Sequence, residues 1–177
     1  PAPSHYFAIN MLEHPAERAN MQADALAFPQ GYQWNQNAIN IYINDGTAGG
    51  ICAFPNEQLL VIGGLVSDLG ALQLHELGHF FDLCHTQGCS CGCCDPNLVG
   101  ACHTQAGNDG ISDTIADLAC WNRDQIAQAS FGVVYAALAA AQQTDVDNVF
   151  LNIMSYHDSA CGQNAAVARL TEGQLDR

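Results

Sequence analysis

The stretch His75-Glu-Leu-Gly-His79 constrains this chain more than any other. Residues four apart on a helix stand one turn apart on the same face, so both imidazoles can reach one metal ion. Glu76 lies beside them and can point at a metal-bound water, take its proton and pass it on. Taken alone, two histidines at helical spacing also occur on surfaces and in cores. His85, six residues beyond His79, strengthens the pattern. A continuous helix would carry His85 off the metal-facing side, so the chain must turn sharply near Asp82 to bring it back. Three protein ligands with an open fourth position mark a catalytic zinc, whereas structural sites are closed. His85, like His103 and His157, can also be read as a loop histidine; the spacing favours it as the third ligand.

The 177 residues fit one domain, or one domain split into an upper part of about 1–85 and a lower part of about 86–177. The balance of 18 acidic against 4 basic residues, all Arg, gives a formal charge of −14. Such a surface repels nucleic acid and anionic membranes and suits cationic substrates or bound cations; it also simply keeps a protein soluble. Nine cysteines point to an oxidising compartment or to metal binding, and the odd count leaves at least one unpaired within the chain or paired outside it. No apolar run is long enough for a transmembrane helix. The expectation is a secreted monomer that has lost its targeting segment.

Pro15 opens a helix over Ala16 to Ala27. Residues Asn37 to Asn44 alternate with period two and read as a half-buried strand. Gly50 to Phe54 and Gln58 to Gly63 read as strands, and Ser67 or Asp68 as the cap of a helix from Leu69 to about Leu83. Residues 86–113 form a long Gly-, Cys- and Asp-rich stretch, a length that is usually functional or tied down. One helix is expected over Asp124 to Gln143, and Thr171-Glu-Gly-Gln174 resembles a capping box weakened by Gly173. Asn108, Asp109, Asp113 and Thr114 cluster oxygen donors of the kind calcium takes, or form a polar turn. Cys89-Ser-Cys-Gly-Cys-Cys94 reads as disulfides or as a soft-metal site.

His75-Glu-Leu-Gly-His-Phe-Phe-Asp-Leu-Cys-His85 resembles the long zinc signature of the metzincin metalloproteases, with Asp82 where that family has a turn glycine. Asp is among the few other residues that tolerate a left-handed backbone. Asn152-Ile-Met154-Ser-Tyr156 resembles the Met-turn of that family. Gly107 to Thr114, the Asp158 and Cys161 that follow the Met-turn, and Leu170-Thr-Glu-Gly-Gln are similar to the pappalysins. The resemblance spans roughly residues 37–177.

The resemblance implies an α+β fold, with a twisted mixed sheet and helices above an active-site cleft, and the Met-turn and a C-terminal helix below. It implies a zinc endopeptidase holding Zn2+ by His75, His79 and His85. Glu76 is the general base that activates water against extended polypeptide, with Tyr156 near the zinc and Met154 beneath it. It also implies structural calcium near Asn108, Asp109, Asp113 and Thr114. Asp158 would shape the pocket for the residue after the scissile bond and favour a basic one. Cys120 with Cys161 is the expected bridge. The competing functions are an inactive zinc-containing peptide-binding module, a zinc hydrolase of small molecules and a Cys-rich interaction domain.

Overall fold

The computed structural model describes residues 2–45, 49–52, 58–64, 69–87, 109–118, 120–155, 157 and 169–177. The expected caps Ser67 and Asp68, and the cysteine run at 89–94, lie outside them. The chain divides into two compact units, Pro1–Asp82 and Leu83–Arg177.

In the first unit, a 3-10 turn (Pro3–Tyr6) precedes helices α1 (Pro15–Ala27) and α2 (Pro29–Tyr32). Both helices start on proline, whose fixed φ suits the first turn. Strands β1 (Asn40–Asn44), β2 (Gly50–Cys52) and β3 (Leu59–Gly63) form a sheet of order β1-β3-β2. β3 runs parallel to β1, pairing Asn40 with Leu59, and antiparallel to β2, pairing Cys52 with Leu60. Central β3, Leu-Leu-Val-Ile-Gly, is buried throughout, as its unbroken apolar run requires. Helix α3 (Leu69–Phe80) packs on β2 and β3.

β1 keeps the expected alternation but buries its polar residues. Asn40 and Asn44 face inward, while Ile41 and Ile43 are exposed. The inward amides latch neighbouring backbone: Asn40 Nδ2 donates to the carbonyls of Asn35, Ala38 and Gln58, and Asn44 Nδ2 to that of Tyr6. Buried amides are tolerable only when bonded in this way. The core beneath gathers Tyr6, Met11, Met21, Tyr32, Trp34, Leu59 and Val61.

The second unit corrects the expected long helix over 124–143. It holds α4 (Arg123–Phe131) and α5 (Ala140–Phe150), separated by a 3-10 turn at Tyr135–Ala137. Asn122 and Gln125 form a reciprocal capping box that starts α4. Gly132, in the left-handed region at φ 74°, ends it, which the alanine content hides. The two helices pack through Ile126, Ala127, Val146, Val149 and Phe150. Helix α6 (Glu172–Leu175) opens on the expected capping box of Thr171 and Gln174. No described helix is long and apolar enough to cross a membrane. The result is an α+β chain with a small mixed sheet.

Candidate metal centre

α3 carries His75 and His79 one turn apart, both buried. Their rings meet edge to face at 88°, centroids 4.7 Å apart, and their Nε2 atoms stand 3.1 Å from each other. Two nitrogens on one tetrahedral zinc, each 2.0–2.1 Å from the metal, would be about 3.3 Å apart. The pair is therefore close to the separation a shared zinc asks for.

The helix stops three residues earlier than the sequence suggested. The Asp82 amide reaches back to the His79 carbonyl at 3.0 Å, and Asp82 itself adopts φ 65°. This is the sharp turn that the spacing of His79 and His85 called for; its left-handed backbone is the one the family resemblance implied, made by aspartate in place of glycine. Leu83, Cys84 and His85 follow it into the interior. One donor atom from each of His75, His79 and His85 lies within 4.8 Å of the others, a group able to hold a metal ion. His157 is not part of it, and His103 lies outside the described residues.

Glu76 is buried between α3 and β2. A β-carbon added at Gly50 would fall 2.5 Å from Glu76 Oε1, so the carboxylate rests directly on the strand backbone. Burial pushes its pKa up to about 7, offset in part by a hydrogen bond from the Cys52 backbone. A cation held by the neighbouring histidines would pull it back down.

In the second unit, residues 152–155 make a tight turn. Asn152 Oδ1 accepts from the Met154 amide at 2.9 Å, and the Asn152 carbonyl accepts from Ser155. Met154 is fully buried, and its carbonyl accepts from the Thr86 amide at 3.1 Å. Tyr156 and Asp158 lie outside the described residues.

Of the expected calcium donors, Asn108 also lies outside. Asp109 is buried; its Oδ1 accepts from the Ile111 amide and the Thr114 hydroxyl, while its Oδ2 has no hydrogen-bond partner among the described residues. Burial raises the Asp109 pKa to about 6. Asp113 turns instead to α6, accepting from Thr171 Oγ1 at 2.7 Å and the Gly173 amide at 2.9 Å. Asp113 and Thr114 are thus engaged in bonds that hold the fold. Cys120 is disulfide-bonded, and Cys161 of the expected pair is outside the described residues.

Sequence reasoning missed Asp117. It is fully buried, 2.7 Å from His157 Nε2, and accepts from the Thr86 hydroxyl at 2.5 Å. Separations of 31 and 40 residues leave no spacing signal to find it by.

No family model and no solved structure matches the chain. It is similar to a protein described as an extracellular metalloprotease from Verticillium alfalfae, 30% identical over 149 residues. The match covers 73% of this chain and 46% of the relative, so the chain spans about half that protein's length. The likeness to an extracellular metalloprotease and the three-histidine group able to hold a metal together support a metalloprotease.

Proposed function

We propose that the chain is the catalytic domain of a secreted, monomeric zinc endopeptidase of the metzincin kind, similar to the pappalysins. The observation that carries this reading is the convergence of three buried imidazoles, two of them on the helix that also carries the buried Glu76. Three imidazole donors, leaving a tetrahedral ion one further position, fit a catalytic zinc. His75, His79 and His85 would hold it, and the ion, when bound, would supply Lewis acidity for polarising a scissile carbonyl.

Glu76 is the general base. Its carboxylate, held against β2, takes a proton from the attacking water and returns it to the leaving amine. Among the described residues β2 stands at one edge of the sheet, where an extended polypeptide would pair with its main chain. Tyr156 would assist the developing oxyanion, and Met154 would floor the site. Asp158 would favour a basic residue after the scissile bond. Residues 1–85 would form the upper part and 86–177 the lower. A calcium ion near Asp109 is the finer part of the same reading, supported by the buried Oδ2 that lacks a partner among the described residues.

Digestion of casein, an unstructured substrate, tests it. Wild type cuts; Glu76→Gln loses about 10²–10⁴ in rate, and a zinc chelator abolishes cleavage. A folded, zinc-loaded wild type that cuts neither casein nor a varied peptide library points instead to a binding module.

A further inference from the structure

The third histidine is followed at once by a buried polar chain that the reaction above does not use. The Thr86 hydroxyl donates to Asp117 Oδ2 at 2.5 Å, and the other Asp117 oxygen faces His157 Nε2 at 2.7 Å. All three residues are 0% exposed. The His157 ring stacks on Phe150, tilted by 16° with centroids 5.3 Å apart. A carboxylate oxygen only accepts, so Nε2 carries the proton; Nδ1 has no hydrogen-bond partner among the described residues.

Burying a carboxylate is unfavourable by several kcal/mol unless good geometry repays it, and apolar residues of the same volume stabilise at least as well. Packing alone therefore does not call for this arrangement. Directional bonds fix register. Through Thr86, whose amide also donates to Met154, the network joins Asp117, Met154 and His157 to the chain one position from His85. A metal demands its donors within about 0.2 Å of their ideal distances, and loss of supporting hydrogen bonds typically weakens binding 10–100-fold.

We propose that Thr86, Asp117 and His157 are positioning residues that set the backbone carrying His85 and so tune the affinity for zinc. The proposal rests on the zinc-site reading. Its test is the zinc dissociation constant of the metal-stripped full chain, measured against a competing chromophoric chelator well below the unfolding temperature. Thr86→Val should weaken zinc binding about tenfold or more, Thr86→Ser should stay within about twofold of wild type, and saturating zinc should restore cleavage to Thr86→Val. Asp117→Asn, which can accept from only one of its two partners, should weaken binding too, and it stands in if Thr86→Val does not fold. Folded variants that bind zinc as tightly as wild type overturn the proposal. A wild type that binds zinc and cuts no peptide removes the peptidase reading and leaves the positioning role intact; a wild type that binds no zinc overturns both.

Discussion

The Glu76 carboxylate occupies the space that a side chain at position 50 would need: a β-carbon on Gly50 would stand 2.5 Å from its Oε1. Glycine is required there by the carboxylate, not by the backbone of β2. Gly50→Ala should push Glu76 off the strand while leaving the histidines in place. Cleavage should fall about 10–100-fold with zinc affinity unchanged, since small displacements of a reacting group have effects of that size. Steady-state kinetics beside a zinc titration checks it; unchanged kcat would show that the carboxylate has another resting place.

Zinc should stabilise the fold measurably. At about 100 times its dissociation constant, a ligand that binds only the folded chain adds about 2.7 kcal/mol, or about 5–10 °C in Tm for a chain of this size. His85→Ala should lose most of that increment. Thermal unfolding with and without zinc reads it, and an equal shift in the variant would place the metal elsewhere.

Asp109 sets a pH dependence. Its carboxyl titrates near 3.8 when unfolded and near 6 when folded, because burial disfavours the charge. Between those values the folded chain holds the proton more tightly, so stability falls as pH rises through this window, and the full penalty is present above it. In calcium-free buffer, Asp109→Asn should be more stable than wild type by about 1–2 kcal/mol at pH 8, after allowing for a buried amide, and equal near pH 4. Denaturant unfolding at the two pH values measures this. Added calcium should narrow the gap at pH 8 if Asp109 Oδ2 takes the ion.

Gly173 lowers the helical propensity of α6, yet alanine should be worse. A β-carbon there would lie 2.7 Å from Asp113 Oδ1, and Asp113 is the residue that accepts from Thr171 and the Gly173 amide. Alanine gains about 1 kcal/mol in helix propensity, while displacing Asp113 loses two hydrogen bonds and adds overpacking. Gly173→Ala should be net destabilising by about 1–2 kcal/mol in equilibrium unfolding.

The parts of this molecule that could be read in advance are those that depend on short spacing. The four-residue step from His75 to His79 and the six-residue step to His85 required a helix and then a sharp turn, and Asp82 supplies it. The capping box at Thr171 was equally local. Long-range bonding decided the rest. The inward amides of Asn40 and Asn44 find their acceptors in neighbouring loops, which no periodicity signals. The break between α4 and α5 turns on one glycine within a helix-favouring composition. Asp117 becomes meaningful only when folding brings it to Thr86 and His157.

Restoring zinc to metal-stripped protein, while following cleavage of a quenched fluorescent peptide, tests the central claim most directly. Cleavage should be absent at first, rise with added zinc and level off at one zinc per chain, and His85→Ala should stay inactive throughout. Cleavage that persists without zinc, or that saturates equally in His85→Ala, would contradict a three-histidine zinc peptidase.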